Sequence, residues 1–168
     1  MLPLEIREAR EENREAIWSI FEAVIQTGDT YVFLPNTPHS DLDQYWLAPH
    51  MRTYVAEVEG DVVGTYILKA NHPGLGSHVA SASYMVHPAA QGMGVGSAMG
   101  ANSLEEARQM GFRAIQFNLV VSTNEAAVHL WEKMGFAIIG TLPEAFCHQK
   151  LGYVDAFVMY KSLIGKEG

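Results

Sequence analysis

Ile17, Ile20, Phe21, Val24 and Ile25 fall at spacings of 3, 1, 3 and 1, which is one apolar face of a helix. "LEIREA" before it (residues 4–9) reads as a first strand, and Gly28 ends the helix. "DTYVFLPNTPHS" holds two prolines and reads as a loop. "SDLDQYWL" reads as a short second helix capped by Ser40. "TYVAEVEGDVVGTYILKA" is two β-rich runs meeting at Gly60-Asp61, which predicts a hairpin. "NHPGLGSH" is a loop, and "VASASYMVHP" is a strand stopped by Pro88. A glycine-rich stretch follows, then a helix to about Met110.

"RAIQFNLVV" reads as a strand. In "STNEAAVHLWEKMGF", Ser122 and Glu125 have capping-box spacing. Ala127, Leu130, Trp131 and Met134 form the expected buried stripe, and Gly135 sits where a left-handed C-terminal residue belongs. "FAIIGTL" and "YVDAFVMYKSL" are two last strands, joined by the loop "PEAFCHQKLG". The order β-α-α-β-β-β-α-β-α-β-β predicts an α/β fold with a mixed central sheet.

Composition narrows the function. The chain has 168 residues, 48% hydrophobic and 18% charged, which suits one folded domain over 1–168. A formal charge of −8 disfavours nucleic acid or an anionic membrane as main partner. Cys147 is the single cysteine, so no internal disulfide forms, and a reducing cytoplasm is expected. The first dozen residues carry acids and no long apolar run, unlike a signal peptide. No apolar run approaches the roughly 18 residues of a membrane span. The seven histidines lack ligand spacing such as H-E-x-x-H, so no metal is proposed.

The chemistry gathers in "HPAAQGMGVGSAMG", His87 to Gly100, at a strand-to-helix junction. Such a junction leaves about four N–H groups without helical partners. The helix dipole adds partial positive charge there. Glycines let several N–H groups converge on one anion, so a phosphate or pyrophosphate is the natural guest. Gly96, Gly100, Ser103 and Ala107 also make a flat face for close packing on the sheet. A P-loop needs Gly-Lys-Ser/Thr, which is absent. A dinucleotide fingerprint fails at Ser97 or Met99, depending on its start.

Gln91-Gly92-Met93-Gly94-Val95-Gly96 resembles the Q/R-x-x-G-x-G/A signature of the GCN5-related N-acetyltransferases (GNAT). "NEAAVHLWEKMGF" is similar to that family's second motif, and the two come in the family's order. The resemblance implies the GNAT fold, with the fourth and fifth strands splayed, and acetyl-coenzyme A as co-substrate. It implies that Gln91, Gly92, Met93, Gly94, Val95, Gly96 and Ser97 hold the pyrophosphate. Met85, Val86 and His87 would line the pantetheine arm, and the Val86 N–H would polarise the thioester carbonyl. Asn124, Ala127 and Trp131 would border the coenzyme. An amine acceptor then attacks the thioester directly. Many relatives carry an acid tyrosine where this chain has Trp131, and an indole N–H is no acid near neutral pH. Trp131 is therefore either a wall of the coenzyme site or core.

"FNLVVSTNEAAVHLW" resembles fungal acetyltransferases that act on proline analogues such as azetidine-2-carboxylate. Their two asparagines fall on Asn118 and Asn124. The resemblance gives Asn118 an acceptor or amine contact and Asn124 a water or coenzyme contact. Capping is the alternative for Asn124. Where those relatives have a further asparagine, this chain has Ser81.

Tyr31 and Phe33, in the loop after the first helix, either line the acceptor site or pin the loop. His78 and Tyr84 flank the strand that faces the acceptor, and each either relays a proton or keeps an ordinary structural role; Ser81 and Tyr84 are counted among the acceptor contacts. Cys147 and His148 are adjacent in one segment, a poor geometry for a nucleophilic pair. The reading is an acetyl-CoA-dependent N-acetyltransferase for a small amine, with an amino acid or proline analogue as the candidate acceptor, expected as a homodimer. A protein or peptide acceptor, and a non-catalytic acyl-CoA sensor, are the alternatives.

Overall fold

A computed structural model describes residues 3–165. Its strands are β1 (Leu4–Glu8), β2 (Arg52–Val58), β3 (Asp61–Ala70), β4 (Val79–Val86), β5 (Ala114–Val121), β6 (Ala137–His148) and β7 (Gly152–Ser162). The α-helices are α1 (Arg14–Ile25), α2 (Leu42–Tyr45), α3 (Val95–Gln109) and α4 (Glu125–Lys133). The order along the chain is the expected one. The seven strands form one sheet in the order β1-β2-β3-β4-β5-β7-β6. All neighbours pair antiparallel except β4 and β5.

Each face of the sheet carries its own core. Ile17, Ile20 and Phe21 of α1 are fully buried against Trp46, Val55, Ile67 and Met85. Burying each such side chain contributes about 1.5–3 kcal/mol. The opposite face packs Tyr66, Ile115, Phe117 and Met159 against Met99 of α3 and Trp131 of α4. The β2–β3 hairpin turns on Glu59 and Gly60, whose φ values are 52° and 87°. Two left-handed residues in a two-residue loop match the right-handed twist of the strands. Among the described residues, no helix is long and apolar enough to cross a membrane.

Three local expectations are corrected. Ser40 does not cap α2. It lies inside a 3₁₀ turn, His39–Asp41, which Pro38 opens with φ −74° and which runs straight into the helix. Ser122 and Glu125 form no capping box. The Ser122 N–H is committed to the Asp155 carbonyl, and Asn124 caps α4 by accepting from the Ala127 N–H at 3.3 Å. The segment "PEAFCH" is strand, not loop. Pairing with β7 lapses between Leu142 and Phe146, where Pro143 lacks an N–H and Glu144 has φ 49°. Asp155 Oδ1 accepts from the Glu144 N–H at 3.0 Å, and β6 then resumes to His148. On α4, Val128 and Trp131 are buried, while Ala127, Leu130 and Met134 pack half-buried beside them.

Candidate active site

The sheet opens in its middle. β4 and β5 pair only at Val79 with Ala114 and Ala80 with Ile115, then part. The odd residues of β4 bond to β3, as the register of Met85 with Thr65 and the His87 N–H to the Val63 carbonyl show. By the period of two, the backbone groups of Ala82, Tyr84 and Val86 face the gap.

One of these three already has a partner. The Tyr84 N–H donates to the Tyr31 hydroxyl at 2.9 Å, and that hydroxyl donates back to the Tyr84 carbonyl. Burial pushes the Tyr31 phenol well above the usual tyrosine range, which keeps it neutral. Phe33 packs on Phe21 and Tyr45, with ring centroids at 5.1 and 4.7 Å, and so pins the same loop to α1 and α2.

At the open end of the gap, β4 leads into the glycine stretch. His87 caps a 3₁₀ turn at Pro88–Ala90, its Nδ1 accepting from the Ala89 N–H. Met85 is buried on the α1 face. Gln91, Gly92, Met93 and Gly94 are exposed. Gly92 and Gly94 adopt φ of 80° and 81°, and a Cβ on either would meet nothing within 4 Å. Gly94 is the left-handed residue from which α3 starts. The N–H groups of Gly92, Gly94, Val95, Gly96 and Ser97 find no backbone carbonyl among the described residues. No acidic side chain stands in the first turn of α3. These features fit a bound pyrophosphate.

α3 is seated on a row of aromatic rings. Tyr54, Tyr66 and Tyr84 stack across β2, β3 and β4 at centroid distances of 4.5 and 5.5 Å. Their hydroxyls meet Glu106, Asn102 and Ser103 of α3 at 3.0, 2.6 and 2.6 Å. The flat face of α3 thus has the expected packing use, with Gly100, Ser103 and Ala107 buried. The Tyr84 side chain, expected among acceptor contacts, points to α3; only its backbone faces the gap. Trp131 is 7% exposed and packs on Tyr84 and Phe117 at 4.6 and 4.7 Å, inside the core.

On the other side of the gap, pairing of β5 with β7 shifts between Phe117 and Val120. Phe117 and Val120 both stay in the core, so the irregularity sits at Asn118-Leu119. A bulge of this kind re-aims a side chain and explains how asparagine fits a strand. The exposed Asn118 amide accepts from Gln116 Nε2 at 3.0 Å and donates to Asn71 Oδ1 at 2.7 Å. Ser81 is buried on β4. His78 lies before the paired start of β4, about 20 Å along the strand from Tyr84. Cys147 is exposed, while the neighbouring His148 Nδ1 accepts from the N–H groups of Lys150 and Leu151.

An open parallel pair beside a glycine-rich helix start agrees with the family comparison. Residues 10–136 match the profile described as "Acetyltransferase (GNAT) family". The chain belongs to this acetyltransferase family. Among curated GNAT relatives, it is 32% identical over 114 residues to N-acetyltransferase aca1 of Schizosaccharomyces pombe. That match covers 66% of this chain and 54% of aca1, so the chain spans about half the relative's length. A GCN5-related N-acetyltransferase from Kribbella flavida superposes with a TM-score of 0.90 and 43% identity, covering 95% of this chain and 97% of that one. A ribosomal-protein-alanine N-acetyltransferase from Brucella melitensis gives a TM-score of 0.81 and 28% identity, covering 94% and 99%.

Within the GNAT frame, two residues bonded to the candidate Asn118 escaped the sequence reading. Asn71 and Gln116 hold Asn118 from both sides, yet neither belongs to a motif. The only signal was the run of amides on a strand, Gln116 and Asn118 two residues apart. That Tyr31 reaches Tyr84 had no signal at all.

Proposed function

We propose that this chain moves an acetyl group from acetyl-CoA to the amine of a small molecule, an amino acid or proline analogue. The observation that supports it is the opening between β4 and β5, which leads directly to the N–H cradle at Gly92–Ser97. The cradle would hold the pyrophosphate, and the free edge of β4 would hold the pantetheine arm. Bound acetyl-CoA supplies the thioester. The amine nitrogen bonds its carbonyl carbon, the C–S bond breaks, and the sulfur leaves with the electron pair. Tyr31 and Tyr84, both kept neutral by burial, do not take the amine proton. Water takes it, and the Asn71–Asn118–Gln116 amides orient the acceptor. Among the described residues the backbone N–H of Val86 has no protein partner; it faces the gap and is free to bond the arm.

The chain acts as one domain in the cytoplasm. It pairs as a homodimer through β6 and β7, where Ile139 and Tyr153 are 59% and 71% exposed. Equilibrium sedimentation tests the dimer, and a monomer at micromolar concentration would end that part.

Thiol release from acetyl-CoA against a panel of amines tests the activity, with Asn118→Ala beside the wild type. The panel holds amino acids, azetidine-2-carboxylate, proline, polyamines and short peptides. Turnover on a cyclic secondary amine, lost in Asn118→Ala, is the expected result. Turnover on peptides alone would favour a protein acceptor, the class in the name of the Brucella relative. Acetyl-CoA binding without turnover on any amine would leave a sensor.

A further inference from the structure

We propose that the Tyr31 hydroxyl holds the place of the donor's acyl end on the β4 edge, so that Tyr31 is the positioning residue that coenzyme must displace. The inference rests on the acetyl-CoA reading above, with the thioester carbonyl placed at the Tyr84 N–H, deeper in the gap, and the Val86 N–H left to the pantetheine arm instead of the polarising role first expected of it.

The free edge of β4 offers three rungs, at Ala82, Tyr84 and Val86. Only the middle one is closed, and one oxygen closes both of its groups. A hydroxyl that accepts from an N–H and donates to the carbonyl of the same residue replaces a strand rung. An arm lying along this edge needs the same N–H for a carbonyl oxygen. An N–H aimed at one acceptor does not serve a second at full strength. The two partners therefore compete for a single peptide unit, 53 residues away from Tyr31 in sequence.

Tyr31 is held there against local preference. Its φ is 60°, in the left-handed region that a bulky aromatic residue rarely adopts. Its ring lies against Phe33 and Trp46, both at 6.4 Å between centroids. The start of its loop is clasped from the far end of the sheet. The Gln149 N–H donates to the Gly28 carbonyl at 3.1 Å, and a Cβ on Gly28 would lie 2.0 Å from Gln149 Cγ. The β6–β7 turn and the end of α1 thus fix where Tyr31 begins its reach. Asn118 borders the same gap from β5.

Tyr31→Phe keeps the ring and removes the competing oxygen. Calorimetric titration of both proteins with acetyl-CoA, and with the adenosine bisphosphate half of coenzyme A, separates the two ends of the site. Tyr31→Phe is expected to bind acetyl-CoA about two- to tenfold more tightly, the worth of about one net hydrogen bond. Affinity for the adenosine bisphosphate, which meets only the Gly92–Ser97 end, stays unchanged. A purely structural tyrosine would alter both affinities together. A second readout uses the wild type alone: the Tyr84 amide NMR signal shifts with acetyl-CoA and not with the adenosine bisphosphate. Equal or weaker acetyl-CoA binding by Tyr31→Phe, or an unmoved Tyr84 signal at saturating acetyl-CoA, overturns the proposal and leaves the coenzyme reading standing. A wild type that binds neither ligand overturns both.

Discussion

Replacing Gly94 with alanine isolates backbone geometry from side-chain clash. Gly94 has φ 81° and ψ 10°, and an added Cβ would meet nothing within 4 Å. The cost is then the left-handed conformation itself, about 1–2 kcal/mol for an L-residue. Alanine also narrows the unfolded ensemble, which offsets about 0.4–1 kcal/mol. The net destabilisation is about 1 kcal/mol. With a urea dependence of about 2 kcal/mol per molar, the midpoint falls by about 0.5 M. Gly94→Asn falls less, because asparagine visits the left-handed region more readily. Gly96→Ala is the internal control. Gly96 lies inside α3, and its added Cβ would sit 3.6 Å from Leu130 Cδ2, an ordinary contact. That variant keeps or raises the midpoint, since alanine is favoured over glycine in a helix by about 1 kcal/mol. Urea denaturation followed by tryptophan fluorescence reads all three. A Gly94→Ala midpoint equal to wild type, or a Gly96→Ala protein less stable than Gly94→Ala, would refute the reasoning. The same Gly94→Ala protein should bind acetyl-CoA more weakly, because that residue aims the N–H groups that follow.

Gly100→Ala is expected to destabilise by packing: its Cβ would lie 2.6 Å from Met134 Sδ and 3.1 Å from Trp131 Cζ3. Overpacking costs about 1–3 kcal/mol, and thermal unfolding should show recovery in the Gly100→Ala, Met134→Ala double variant. Stability should also fall as pH rises above about 10. Tyr54, Tyr66 and Tyr84 are all held above the ordinary tyrosine value, chiefly by burial. Above that pH the unfolded chain loses phenolic protons that the folded chain keeps, so unfolding is favoured; below it this stabilisation is fully present. Tyr66→Phe should flatten the alkaline limb of a stability–pH curve, and an unchanged slope would count against it.

Much of the molecule was legible because its determinants are local. The spacing of Ile17 to Ile25 is enough to place α1, and β-rich runs around Gly60 are enough for the hairpin. The glycine stretch was readable as a helix start with open N–H groups, since helix starts leave N–H groups free whatever surrounds them. The order of elements then fixed the family fold. Local pattern misled where a distant residue decides. Asp155 on β7 holds the bulge that lets β6 run past Pro143, and its carbonyl engages the Ser122 N–H, while Asn124 takes the cap.

The sequence by itself determined the element order, the glycine-rich helix start and the asparagine within a strand. Each follows from residues close in the chain, where backbone geometry and periodicity act. The tertiary structure alone decided that Asn118 is held by Asn71, that tyrosine hydroxyls seat α3, and that Tyr31 closes one rung of β4. Those contacts join residues 19 to 53 positions apart, and only the packing of the two cores on one sheet brings them within hydrogen-bond reach.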